Sequence, residues 1–142
     1  MIAFDIDGVL ISDTHKYEKD VELNTFISGR LEPIFQIPKE IEYSLLTSRE
    51  YNQNNTNNVK KLISMLKNKP TDVYICREKD EGRYEYKTRM MKMYPEITVL
   101  FESEMECVNY MIDHGIEPKR VIHWGTFIQN ALWDVCIRNK YL

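Results

Sequence analysis

Residues 1–10 read Met1-Ile2-Ala3-Phe4-Asp5-Ile6-Asp7-Gly8-Val9-Leu10. The short apolar run at 2–4 suits a buried strand, and Gly8 lets the chain turn sharply where that strand ends. Asp5 and Asp7 stand two residues apart, so they face one side as the strand finishes. Carboxylates held that close repel each other. A chain keeps such a pair most readily where a cation or a proton transfer requires it.

Outward from this opening, further strands are predicted at 43–46, 72–76, 98–101 and 120–124, each a short apolar or β-branched run ending in polar residues. Helices are predicted between them. The Asn-rich stretch 52–58 reads as a loop, after which Val59, Leu62, Ile63 and Leu66 recur at helical spacing until Pro70. A second helix is expected at 87–94, with Met90, Met91 and Tyr94 on one side and the methionines from Met90 to Met93 as core filler. A third carries Met105, Val108 and Ile112 and closes at Gly115. A closing helix is expected at 127–138 and a short one within 22–35. Strands alternating with helices predict an α/β fold, with a central five-stranded parallel sheet covered by helices on both faces. Its 142 residues fit one domain, 1–142.

Composition narrows the function. Hydrophobic residues make up 43% and charged residues 29%, as in ordinary globular domains. No apolar stretch approaches the roughly 18 residues of a membrane span, and the opening run is broken by Asp5 and Asp7, unlike a signal peptide. Cys76, Cys107 and Cys136 are widely spaced, which fits reduced thiols in a cytoplasmic protein. A net charge of −3 argues against broad electrostatic capture of nucleic acid, but not against a local basic mouth for one phosphate. Lys60, Lys61, Lys67 and Lys69 read as a solvated helix face. His15, His114 and His123 share no metal-ligand spacing.

In a parallel sheet, ligands bind beyond the carboxyl ends of the strands. The residues expected there are Asp5 and Asp7, then Thr47, Ser48 and Arg49, then Arg77 and Glu78, then Glu102, Ser103 and Glu104, with Lys87 in the intervening helix. Acidic oxygens from separate strand ends suit a hard cation such as magnesium. A hydroxyl and a lysine beside them would hold phosphoryl oxygens. One aspartate would attack phosphorus, and the other would protonate the leaving oxygen and then activate water. Lys92 is the alternative to Lys87 for the phosphate. Arg77 reads equally as a substrate contact or a surface salt bridge.

These residues resemble the motifs of the haloacid dehalogenase superfamily of phosphatases. Phe4-Asp5-Ile6-Asp7-Gly8-Val9-Leu10 is similar to its first motif and Leu45-Leu46-Thr47-Ser48-Arg49 to its second. Lys87 is similar in placement to its third-motif lysine, and Val99-Leu100-Phe101-Glu102-Ser103 occupies the place of its acidic fourth motif. Within that superfamily the chain most resembles the 3′-phosphatase domains of bacteriophage polynucleotide kinase–phosphatases. That likeness runs through Thr47-Ser48-Arg49-Glu50, Cys76-Arg77-Glu78, the stretch 102–111 and Gly115-Ile116-Glu117.

The resemblance implies a Rossmann-like three-layer sandwich, with a minimal or absent cap because 11–42 is too short for a large lid. It implies a Mg²⁺-dependent phosphomonoesterase that removes a 3′-phosphate from nucleic acid ends or nucleotides through an aspartyl-phosphate. In that scheme Asp5 is the nucleophile and Asp7 the general acid/base. Thr47 and Lys87 hold the phosphoryl group, and Gly8, Ser48, Arg49 and Arg77 bind substrate. Asp5, Glu102 and the main-chain oxygen of Asp7 bind the metal. The fourth motif usually carries two adjacent aspartates; here the pair reads Glu102-Ser103, which implies either weaker metal binding or substitution by Glu104 or Glu106. The alternatives are a small-molecule 5′-nucleotidase or sugar phosphatase on the same machinery, and a catalytically degenerate binding protein of the same fold. No membrane partner is expected.

Overall fold

Side-chain alternation along the opening strand divides the molecule into two apolar layers. In β1 (Ile2–Phe4) Phe4 packs to one side and Ala3 to the other. The computed structural model describes residues 1–11, 32–75, 77 and 80–124. The elements that follow are β2 (Tyr43–Leu46), α1 (Gln53–Met65), β3 (Asp72–Tyr74), α2 (Arg83–Met93), β4 (Val99–Glu102), α3 (Met105–Asp113) and β5 (Val121–His123). All four strand pairings are parallel and the order is β3-β2-β1-β4-β5. Chain order therefore reverses between β1 and β4, the place where open parallel sheets ordinarily bind ligands.

On one face, Phe4, Tyr43 and Leu45 meet Val59 and Leu62 of α1. The Phe4 ring stacks on Phe101 at 5.0 Å and meets Tyr43 edge-on at 5.7 Å. On the other face, Ala3, Leu46 and Leu100 meet Tyr86, Met90 and Met91 of α2 and Val108 and Met111 of α3. Leu45, Leu46 and Leu100 are fully buried, each contributing about 1.5–3 kcal/mol by leaving water. Between β1 and β2, Ile6 accepts main-chain bonds from Val9, Leu10 and Ile11, while Gly8 donates to Ile11. Gly8 takes φ 81°, a conformation costly for residues with a Cβ.

The predicted α/β class and five parallel strands hold, and β1 and β2 fall at the expected residues. Several boundaries differ. Helix α1 begins inside the asparagine run, because the Asn52 side chain caps it by accepting from Asn55 N at 2.8 Å. It ends at Met65, well before Pro70; Leu66 N bonds Ile63 O, and Lys69 Nζ donates to the carbonyls of Ile63 and Leu66. Helix α2 starts one turn earlier than expected, at Arg83. Strand β3 ends at Tyr74, and β4 extends to include Glu102. Met90 and Met91 are core as predicted, but Met93 is exposed. Helix α3 closes in a Schellman turn: Ile116 N bonds Met111 O, Gly115 N bonds Ile112 O, and Gly115 takes φ 100°. The expected helix at 127–138, most of the one within 22–35, and Cys76, Glu78 and Cys136 lie outside the described residues; 32–35 are not helical. No helix among the described residues is long and apolar enough to cross a membrane.

Candidate active site

Lys87 sits on the core-facing side of α2, in line with Met90 and Met91, where an apolar residue would ordinarily stand. Two carboxylates explain it. Its ammonium lies 3.1 Å from Asp5 Oδ2 and donates a short hydrogen bond to Glu102 Oε2. Asp5 follows β1 and Glu102 closes β4, adjacent strands at the order reversal. The side chains of Lys87, Asp5 and Glu102 are 4%, 6% and 1% exposed. Asp5 Oδ1 accepts from Ile6 N at 2.9 Å, and Glu102 Oε1 accepts from Glu104 N at 3.1 Å.

Burial governs this cluster. It raises the Asp5 carboxyl well above the ordinary carboxylate value, with the Glu102 charge adding to the effect and Lys87 opposing it. Burial opposes the Lys87 charge, but Asp5 and Glu102 outweigh it and hold the lysine above its usual value. Beneath them, burial and the Glu102 charge push the Cys107 thiol up, so it stays protonated and inert.

A second cluster assembles on turns. Arg49, just past β2, meets Asp7 as a fork: Nε to Oδ2 at 2.9 Å and Nη2 to Oδ1 at 2.8 Å. Its Nη1 donates to Asn55 Oδ1 at 3.1 Å. Thr47 is buried at the end of β2, where its Oγ1 accepts from Arg49 N at 3.2 Å and keeps one proton to donate. Ser103 Oγ donates to the main-chain oxygen of Asp7 at 3.0 Å and links the two clusters.

Most of the predicted residues thus converge: Asp5, Asp7, Gly8, Thr47, Ser48, Arg49, Lys87, Glu102 and Ser103 gather at the ends of β1, β2 and β4. Arg77 does something else. Its guanidinium donates to two main-chain oxygens, Ser48 at 2.5 Å and Glu81 at 3.0 Å, so it braces the turn that carries Arg49. Glu104 is drawn to Arg83 at 3.0 Å and to the Tyr84 hydroxyl at 2.6 Å. Lys92, the alternative phosphate residue, lines a separate surface cleft of about 320 Å³ between α2 and α3, with Arg89, Tyr110 and His114. Sequence reasoning missed Asn55. The available signal was the N-cap pattern Asn52-x-x-Asn55, which places residue 55 in the first turn of a helix beside Arg49.

No protein-family model, curated protein or solved structure matches this chain. Function rests on the side chains themselves.

The donors can be tested for magnesium. Among the described residues no three His, Cys, Asp or Glu side chains form a metal-holding group. Glu102, expected as a ligand, has both oxygens engaged by Lys87 and Glu104 N. The Asp7 carboxylate is engaged by Arg49. The Asp5 carboxylate also accepts from Ile6 N and meets Lys87, so a cation would share it with those donors, beside the Asp7 main-chain oxygen that accepts from Ser103 Oγ. Such an all-oxygen set fits magnesium, which takes one or two protein ligands and fills its shell with water and phosphate oxygens. The charge balance agrees: with all five groups ionised, three carboxylates against Lys87 and Arg49 leave one net negative charge.

Proposed function

We propose that this chain is a phosphomonoesterase of the haloacid dehalogenase type, dependent on magnesium, with a Rossmann-like core and a 3′-phosphorylated nucleic acid end or nucleotide as substrate. The observation that carries it is the pairing of two aspartates two residues apart with two different cations at the reversal of strand order: Asp5 with Lys87, and Asp7 with Arg49. Each acid has a partner suited to a separate task.

Asp5, buried and held by Lys87 and Ile6 N, attacks phosphorus. The bond from phosphorus to the leaving oxygen breaks, and its electron pair departs with that oxygen, which takes a proton from Asp7. Water then attacks the aspartyl-phosphate, gives its proton to Asp7 and frees Asp5. Asp7, at 12% side-chain exposure, is the acid nearer solvent, as proton exchange with water requires. Thr47 donates its hydroxyl proton to a phosphoryl oxygen, and Lys87 balances charge there. Glu102 acts by holding Lys87. Asp5 and the Asp7 main-chain oxygen would hold magnesium, which when bound would supply charge neutralisation at the transferring group. The preference for a 3′-phosphate rests on the resemblance at 47–50, 102–111 and 115–117.

Phosphate release by wild type and Asp5→Asn tests this, using a 3′-phosphorylated oligonucleotide, a 5′-mononucleotide and a sugar phosphate, each with Mg²⁺ or EDTA. The wild type should turn over the oligonucleotide fastest, lose activity in EDTA and owe all of it to Asp5. Equal or better rates on the 5′-mononucleotide reject the 3′ preference. Equal slow release by both proteins rejects catalysis in favour of a binding role.

A further inference from the structure

We infer that Asn55 is a positioning residue that sets the Arg49 guanidinium on Asp7 and thereby aims the general acid; the catalytic half of this inference rests on the phosphatase reading above. Asn55 is 3% exposed and lies in the first turn of α1. Its main chain is anchored, because Asn55 N donates to the Asn52 side chain at 2.8 Å. Its amide is anchored too: Nδ2 donates to Glu50 O at 2.7 Å. With the amide nitrogen on a carbonyl, the amide oxygen must face the guanidinium, and it accepts from Arg49 Nη1 at 3.1 Å.

A guanidinium is planar, so fixing one end fixes the direction of the others. With Nη1 held by Asn55, Nε and Nη2 present the parallel fork that Asp7 accepts at 2.9 and 2.8 Å. The side chains of Arg49 and Asp7 are 8% and 12% exposed, so solvent does little to replace the amide. Without it, the guanidinium loses the acceptor that orients Nη1, and the fork on Asp7 is less firmly aimed. A small misplacement of a catalytic group is enough to slow a reaction.

Aspartate and alanine at position 55 separate this role from a merely structural one. Asn55→Asp keeps the oxygen for Arg49 and loses the donor to Glu50 O. Asn55→Ala loses both. Two readouts are needed: kcat and KM on the 3′-phosphorylated oligonucleotide with Mg²⁺, and the ¹H–¹⁵N signal of Arg49 Nε–H, assigned by its loss in Arg49→Lys. We expect Asn55→Ala to lower kcat about tenfold at nearly constant KM, a fraction of what a general acid supplies, and to broaden the Nε–H signal by exchange. Asn55→Asp, which keeps the acceptor for Arg49 but loses the anchor on Glu50 O, should restore both in part. Lys69→Ala, which loosens the far end of α1, should lower the melting temperature and move neither readout. If Asn55→Ala does not fold, Asn55→Ser takes its place.

Equal impairment in Asn55→Asp and Asn55→Ala overturns the inference, as does an Nε–H signal unchanged in Asn55→Ala. Should the wild type release no phosphate, the Nε–H comparison alone decides whether Asn55 holds Arg49, and the phosphatase reading falls separately.

Discussion

The two aspartates of the opening motif sit in different electrostatic settings. Asp5 belongs to a sealed trio, held with Lys87 and Glu102 on or beside regular elements, every side chain at most 6% exposed. Asp7 belongs to a fork on turns, with Arg49 and the neutral amide of Asn55, at the edge of solvent. The sealed trio is electrostatically expensive. It places two carboxylates on one ammonium, and burial raises Asp5 well above the ordinary carboxylate range. The fork is cheaper: its ion pair matches in shape and each acceptor has a donor. A nucleophile gains from exclusion of water, whereas an acid/base has to trade protons with it. Under the proposed mechanism those demands fall on side chains two residues apart.

The largest effect should come from breaking the trio. Lys87→Met leaves two buried carboxylates without their cation and should cost about 3–5 kcal/mol in chemical denaturation. A loss below about 1 kcal/mol, the size expected of an exposed pair, would mean that the trio is wet and the contrast false.

Titration should sharpen the contrast next. In metal-free protein, Asp5 has a folded-state pKa above its unfolded value of 3.8. Its protonated form therefore favours folding. That contribution is fully present below the unfolded pKa and is lost as pH rises through the folded one. Urea midpoints in EDTA should fall with rising pH above about 4 in the wild type, and this component should vanish in Asp5→Asn. Identical profiles would show that Asp5 is not desolvated.

The residue bridging the two clusters should give the smallest effect. Ser103 places a neutral donor on the Asp7 main-chain oxygen. Ser103→Asp removes that donor and adds a hard ligand, and Mg²⁺ affinity by calorimetry should rise about tenfold, or about 1.4 kcal/mol. No gain would place the cation elsewhere.

Much of this was legible in the sequence, for identifiable reasons. Strands β1 and β2 are short apolar runs that stop at chemistry-bearing residues, so their ends and the convergence of Asp5, Thr47 and Arg49 could be read directly. Lys87 could be chosen, but not its partners, since nothing in a linear sequence pairs residue 87 with residues 5 and 102. The start of α1 was hidden because asparagines favour turns and caps; Asn55 and Asn58 are helical because the helix packs them inward. Helix α2 opens with Arg83-Tyr84-Glu85, a polar turn without an apolar stripe. Glu102 was expected just past its strand, because a buried carboxylate at a strand's end needs a cation that only the tertiary fold supplies. Arg77 was weighed for substrate or a salt bridge, whereas main-chain carbonyls claimed it.

The central claim is that Asp5 becomes covalently phosphorylated. Rapid mixing of wild type with a 3′-phosphorylated oligonucleotide and Mg²⁺, followed by acid quench and peptide mapping, tests it most directly. The account predicts a phosphoryl group on the peptide carrying Asp5, and none in Asp5→Asn. Phosphate release without a phosphoryl group on that peptide, or release that persists in Asp5→Asn, would contradict it.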